Sequence, residues 1–359
     1  MRNEFLELRF DPYTGYLRAV YDNVHRGNRL SQQLGMRLKP AAMNATSDEE
    51  DDDYTIMAAD DFSASHDDAH AQLCVSGRLM DRNGEIAARF SQTTTLMRGV
   101  PEIIFDITLD PITLPQKNAW QSYYANRFVW GEPACDIFRS VGMQAVKTDA
   151  RKIEAPLFID IRPIRIGLST HAVNAVTKTV TQVIRRGKDG PEVPDVSQGG
   201  EAEYKDAHMT LLTGGLPFHR LVSPRRLDNL LIVHGETQRN FRLGVSLGPM
   251  YPTHAAMNFM SAPVQVPAEC RNSRAGWVLR VDRKNVLITH WEPTAAGAVI
   301  RLAETQGRKT TVGLHAYKDI REAKLTDFLG DILYQIKTDA GAAMVDVPAY
   351  GWVQVEIEF

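Results

Sequence analysis

Val353-Gln-Val-Glu-Ile-Glu-Phe359 decides the fold class. Apolar Val353, Val355, Ile357 and Phe359 alternate with Gln354, Glu356 and Glu358. Successive side chains of an extended chain point to opposite faces. A period of two therefore marks a strand with one buried and one wetted face. The same period opens the chain, where Leu6, Leu8 and Phe10 alternate with Glu7 and Arg9. Asp11-Pro-Tyr-Thr-Gly15 then supplies turn chemistry, with Pro12 fixing φ and Gly15 free to take positive φ. Residues 16–22 return as a strand, which makes a hairpin.

Working inward, strands are predicted over 72–80 and 85–97. They flank Asp81-Arg-Asn-Gly84, whose Asn-Gly dipeptide suits a tight hairpin turn. Further strands are predicted over 101–109, 157–161, 164–168, 228–233 and 241–247. Pro163 donates no ladder hydrogen bond and so marks an edge, bulge or corner. Residues 319–336 match a helical spacing only in part and read better as strand and loop.

Many short strands without intervening helices favour sheets packed on sheets. The expectation is an all-β chain: a large β-sandwich over 1–265 and a smaller C-terminal β-sandwich over 275–359. The boundary is expected near 262–275, between Ala262-Pro-Val-Gln-Val-Pro267 and the pattern that restarts at Trp277. The acidic run Asp48-Glu-Glu-Asp-Asp-Asp53 and the Gly-, Pro- and Asp-bearing stretch 187–200 read as exposed loops.

The chain has 359 residues, 43% hydrophobic and 24% charged, with a net charge of −3. This balance excludes wholesale disorder and gives no basic footprint for nucleic acid. No apolar run approaches the roughly 20 residues of a membrane helix. The N-terminal residues alternate instead of forming a charged-then-apolar leader. Cys74, Cys135 and Cys270 are too sparse for a disulfide framework, and a cytoplasmic setting is expected.

Catalytic motifs are scarce. There is no Gly-x-Ser-x-Gly elbow and no phosphate loop leading into a helix. His66-Asp67-Asp68 and His70 mix imidazole with carboxylate, as zinc sites do, but their Ala-, Ser- and Asp-rich setting favours a solvated surface. Cys74 reads as a small strand hydrophobe. The densest polar segment, 213–236, holds His219, Arg220, Arg225, Arg226, Asp228, His234 and Glu236. Its guanidinium forks suit sugar hydroxyls or carboxylates, and they equally suit ion pairs with Asp228 or Glu236. His234 and Glu236, two apart, would share a face of a strand and could act as acid and base on a sugar. A second cluster places Trp120, Tyr123, Tyr124, Phe128 and Trp130 among Asn118, Gln121, Asn126 and Arg127. It fits either a sugar-stacking face or a core strand.

Several stretches resemble one family in order along the chain. They are Asn3-Glu-Phe-Leu-Glu-Leu-Arg-Phe-Asp-Pro-Tyr-Thr-Gly15, Asn28-Arg-Leu-Ser-Gln-Gln33, Tyr124-Ala-Asn-Arg-Phe128, Leu211-Leu-Thr-Gly-Gly-Leu-Pro217 and Arg225-Arg-Leu227. Together they resemble the post-catalytic region of glycoside hydrolase family 38 α-mannosidases. The resemblance implies a large galactose-mutarotase-like β-sandwich followed by a smaller one. It implies a carbohydrate partner, a mannose-type glycan; the charge balance and the apolar run lengths lead to no expectation of nucleic acid or membrane as a partner. It also implies a catalytic barrel N-terminal to this region, in the same or another chain. The family's zinc and its aspartate nucleophile belong to that barrel, so no catalytic residue, metal ligand or cofactor is assigned to this chain. Arg225 and Arg226 match a double arginine, one member of which faces the family's sugar pocket. Pro224 stands where an acidic residue is usual. With His219 and Arg220 of the polar segment and Trp120, Tyr123 and Tyr124 of the aromatic cluster, Arg225 and Arg226 make up the substrate-binding expectation. Two other readings stand beside it: a free-standing carbohydrate-binding sandwich, and a mutarotase-like epimerase using His234 and Glu236.

Overall fold

The computed structural model describes residues 1–38, 54–164, 207–248, 251–261 and 276–359. The first strands are β1 (Leu6–Phe10), β2 (Leu17–Asp22), β3 (Leu30–Arg37), β4 (Ile56–His66), β5 (His70–Met80), β6 (Ile86–Met97), β7 (Glu102–Pro111) and β8 (Tyr123–Trp130). They are followed by β9 (Cys135–Val141), β10 (Gln144–Thr148), β11 (Lys152–Glu154), β12 (Phe158–Pro163), β13 (Met209–Leu212), β14 (Phe218–Ser223), β15 (Arg226–Ile232) and β16 (Asn240–Leu247). A helix, α1 (Pro252–Met260), precedes β17 (Leu279–Val281), β18 (Val286–Pro293), β19 (Gly297–Glu304), β20 (Thr310–Ala316) and β21 (Glu322–Thr326). The last strands are β22 (Ile332–Gln335), β23 (Thr338–Asp339), β24 (Ala342–Val347) and β25 (Trp352–Glu358).

These strands form four antiparallel sheets. A seven-stranded sheet runs β1-β2-β3-β8-β15-β14-β11, and a nine-stranded sheet runs β10-β9-β12-β13-β16-β7-β6-β5-β4. One core lies between them. Leu8, Leu34, Tyr124, Phe128 and Leu227 come from the first sheet, and Phe90, Phe105, Ile107, Ile159 and Leu243 from the second. Burying each such side chain contributes roughly 1.5–3 kcal/mol. The β17-β20-β24-β23 and β18-β19-β25-β21-β22 sheets enclose a second core of Val312, Leu314, Val345, Ile300, Leu325, Val355 and Ile357. The chain is thus all-β apart from α1 among the described residues, with sheet packed on sheet.

The deciding stretch is β25. It lies between β19 and β21, pairing Val355 with both Ile300 and Leu325. Val353, Val355 and Ile357 are buried. The opposite face holds Gln354, which is buried, and the half-buried Glu356 and Glu358; a slip of one residue would turn all three apolar side chains out of the core, so the alternation pins the register. Gly15 and Gly84 take φ of +76° and +84° in the turns where their freedom is needed. Residues 319–336 hold β21 and β22, in agreement with the strand reading. Pro163 ends β12 opposite Cys135. Helix α1 has no counterpart in the sequence reading. It is nine residues long, too short for a helical period to stand out, and it begins on Pro252. Ala255 and Ala256 pack it against Phe158 and Leu212. The expected boundary at 262–275 and the loops at 48–53 and 187–200 lie outside the described residues, as do 165–168 of the predicted 164–168 strand.

Candidate functional site

Directly opposed residues on antiparallel strands project from the same face. On the seven-stranded sheet Arg37 opposes Tyr123, Arg127 opposes Asp228, and Arg226 opposes Val129. Arg220 opposes Asp228, and Lys152 opposes Arg220. All project from the face turned away from the larger core, where Arg37 and Arg127 are buried, Arg220 and Arg226 half-buried and Lys152 exposed, so β3, β8, β15, β14 and β11 together carry the cations of this outer face. Asp228 and Glu154 are the acids at these register positions.

Asp228 organises the face. It has no exposed surface. Its Oδ1 accepts the Arg127 Nε–H at 3.0 Å. Its Oδ2 accepts the hydroxyls of Tyr54 at 2.6 Å and Tyr123 at 2.9 Å. The Arg127 guanidinium also lies 3.3 Å over the Tyr54 ring. Burial pushes both tyrosine hydroxyls well above their ordinary range, and the neighbouring Asp228 charge pushes the same way. Both therefore stay protonated and donate. Burial works against the Arg127 cation, but the Asp228 charge and hydrogen bond together with Tyr54 and Tyr123 more than offset it, and the guanidinium is held more firmly charged. Both oxygens of the Asp228 carboxylate are thus engaged. The arrangement fixes the side chains around Asp228.

A turn at 118–122 borders this platform, with the Ser122 N–H donating to the Asn118 carbonyl. The Trp120 carbonyl accepts from Arg37 Nη1 at 2.9 Å and from Arg220 Nη1 at 3.1 Å. The Trp120 ring meets the Phe218 ring edge-on at 6.1 Å, and Lys152 Nζ lies 5.3 Å from its centre. Phe218 is exposed and Trp120 half-buried. Aromatic surface beside fixed guanidinium groups suits a ligand with an apolar face and many hydroxyls.

The structure divides the expected site residues. Tyr123, Arg220 and Arg226 project from the outer face, where the Trp120 carbonyl accepts from Arg220. Arg225 lies exposed in the β14–β15 turn, with Nη1 3.4 Å from the Gly131 carbonyl. Tyr123 is fully buried and serves Asp228. His219 and Tyr124 are corrected to core groups, because their strand positions turn them inward. Tyr124 sends its hydroxyl between the Ala87 and Thr113 carbonyls, each 2.7 Å away. His219 Nδ1 accepts from Asn229 at 2.7 Å, so its Nε2–H donates to the Ala155 carbonyl at 3.0 Å. Burial lowers the His219 pKa to about 4.

His234 and Glu236 are also corrected. They sit after β15 in an irregular connection, not on a strand face. Glu236 Oε1 accepts the Thr237 and Gln238 N–H groups, and His234 Nδ1 faces the Pro115 carbonyl at 3.2 Å. Of the two acids offered as partners for Arg220, Arg225 and Arg226, Asp228 is engaged by Arg127. His66, Asp67 and His70 mark the β4–β5 turn, where Asp67 Oδ1 accepts the Ala69 and His70 N–H groups. Among the described residues no group of three or more His, Cys, Asp or Glu side chains is arranged to hold a metal ion. No helix among them is long and apolar enough to cross a membrane.

Tyr54, Arg37, Lys152 and Phe218 were not singled out from the sequence. Only the pairing of distant strands brings them to this face. A polar line inside the core was equally hidden. Gln92 of the nine-stranded sheet exchanges amide hydrogen bonds with Gln32 at 2.9 and 3.0 Å. Gln32 donates in turn to Asn126 at 2.6 Å. Asn126 opposes Asn229, which holds His219.

The fold and this face define a double β-sandwich protein with a cationic, aromatic-edged sheet face. No family model matches the chain. No curated protein matches it. Solved structures do match its fold. An α-mannosidase from Enterococcus faecalis V583 is similar over 100% of this chain and 42% of its own, with a TM-score of 0.60 and 11% identity. A protein in the Glycosyl Hydrolase Family 38 from Enterococcus faecalis is similar over 100% of this chain and 43% of its own, with a TM-score of 0.59 and 11% identity. The chain spans less than half the length of either. At this identity the likeness is one of fold, and it agrees with the family resemblance of the sequence motifs.

Proposed function

We propose that this chain is a saccharide-contacting, non-catalytic β region of an α-mannosidase-like glycoside hydrolase. The observation that carries the reading is the fold match of its whole length to part of an α-mannosidase. In this reading the sandwiches buttress a catalytic barrel, in the same or another chain, and zinc and the nucleophile belong to that barrel. Arg225, Arg226, Arg220 and Trp120 meet a mannose-type glycan from the β side. The sequestered Asp228 and the protonated tyrosines support a binding role over an acid–base role. A desolvated hydrogen bond from a charged donor is worth roughly 1.5–3 kcal/mol.

Two measurements test this. The chain, mixed with an aryl α-mannoside and zinc, is expected to release no more chromophore than buffer. Turnover by the chain alone would refute the non-catalytic assignment. Titration with mannose oligosaccharides is expected to change tryptophan fluorescence. Arg225→Ala and Arg226→Ala should weaken that response about tenfold or more, in line with the loss of one charged donor. An unchanged signal across the titration would refute the sugar contact.

A further inference from the structure

One inner-face side chain of the smaller sandwich stands open to solvent. Trp291 of β18 opposes Ile300 of β19, whose side chain is fully buried in the smaller core. Opposed residues share a face, so Trp291 projects from the core side of its sheet. It is nevertheless 50% exposed. A cavity of about 730 Å³ lies against it, within the roughly 300–1,000 Å³ of small-molecule sites. Both sheets wall this cavity: Val278 and Tyr317 flank β17 and β20, while Trp291 and Gly297 belong to β18 and β19 and Phe359 follows β25.

Three aromatic rings line it. Tyr317, 56% exposed, meets the Phe359 ring edge-on at 5.4 Å. Backbone bonds hold both in place, since the Tyr317 N–H donates to the Val278 carbonyl at 2.9 Å and the Phe359 N–H to the Ala296 carbonyl at 3.0 Å. Lys318, Arg321, Glu322 and Glu358 line the same cavity. The two acids share Lys324, at 2.8 Å from Glu358 and 3.6 Å from Glu322. Among the described residues no acid pairs with Lys318 or Arg321. Lys318 Nζ lies 5.3 Å from the centre of the Tyr317 ring.

This chemistry narrows the occupant. Two cations and two carboxylates balance, which suits an uncharged ligand. A wholly apolar one would cover the donors of Arg321 and Lys318 without offering an acceptor, which is unfavourable. A ring with apolar C–H faces and a rim of hydroxyls satisfies both surfaces. Its faces stack on the aromatic rings, and its hydroxyls accept from the cations and donate to the carboxylates.

We propose that this cavity holds a saccharide ring, a second carbohydrate site that shares no residue with the outer face of the seven-stranded sheet. Only the choice of mannose as the probe rests on the function proposed above.

Isothermal titration calorimetry of the full chain with a mannose oligosaccharide tests the proposal. Two sites per chain are expected. Arg226→Ala should weaken one of them and leave the other unchanged. Trp291→Ala and Arg321→Gln should each weaken that other site about tenfold or more. Arg321 is exposed, so Arg321→Gln should leave the melting temperature unmoved and keep the test open if Trp291→Ala folds poorly. Binding lost only with Arg226→Ala would overturn this site and leave the proposed function standing. Binding lost only with Trp291→Ala and Arg321→Gln would support this site and count against the sugar contact on the outer face. A chain that takes up no mannose oligosaccharide, or one whose binding ignores both Trp291→Ala and Arg321→Gln, overturns the proposal.

Discussion

Asp228 receives three side-chain donors on its two carboxylate oxygens, and none of its surface meets solvent. Two buried charges attract strongly, but removing one leaves the other uncompensated, at a cost of about 3–5 kcal/mol. Asp228→Ala is therefore expected to lower unfolding stability by that order, measured by urea titration. Tyr54→Phe removes one donor and keeps the ring under Arg127, so its loss should be nearer 1–3 kcal/mol. Equal losses for the two variants would contradict the ion pair's dominance. His219 gives a pH signature at the same scale. Its pKa is about 4 when folded, below the ordinary value of 6.5. Between these values the unfolded chain binds the extra proton, so its contribution to stability is full above pH 6.5 and declines as pH falls towards 4. The melting temperature should fall across that window, and His219→Gln should flatten that part of the slope. The residue types of the outer face were partly legible: Arg220, Arg226, Asp228 and Trp120 stand out in the sequence. Tyr54 did not, because nothing local distinguishes a tyrosine that reaches an acid 174 positions away.

At the scale of elements, the hairpins follow from chemistry that acts within a few residues. Gly84 adopts φ +84° in open space, while Gly77, on β5 of the same hairpin, is crowded. A Cβ at Gly77 would fall 2.1 Å from the Ala58 carbonyl oxygen and 2.8 Å from the Phe90 ring. Backbone cannot yield as a flexible side chain does. Gly77→Ala is expected to cost about 1–3 kcal/mol or more through overpacking. Gly84→Ala should cost only the left-handed backbone term, about 1–2 kcal/mol. Thermal melts of the two variants check the order, and a milder effect at Gly77 would contradict the packing. His234 and Glu236 illustrate the opposite case. Their spacing suits a shared strand face, but β15 ends at Ile232 and a turn follows. Gly235, at φ +84°, bends the chain between them. Helix α1 was hidden for a related reason: two turns of mixed residues carry too little periodicity to rise above the surrounding strands.

At the scale of the molecule, two cores share no residue. Ile357 is fully buried in the smaller one. Ile357→Ala should remove about 2–5 kcal/mol from that core. Calorimetry is expected to show one transition lowered and the transition of the larger core unmoved. A single transition that shifts as a whole would join the two sandwiches into one cooperative unit. The chain's own residues determined the all-β class, the hairpins and the buried face of β25. Period two and turn preference act between neighbours and need no knowledge of the rest of the chain. The tertiary structure alone decided that β8 lies between β3 and β15, and so that Tyr54, Arg127 and Asp228 converge. Strand partners are chosen by how completely the whole core is buried, and that sum over distant contacts is not written in any one segment.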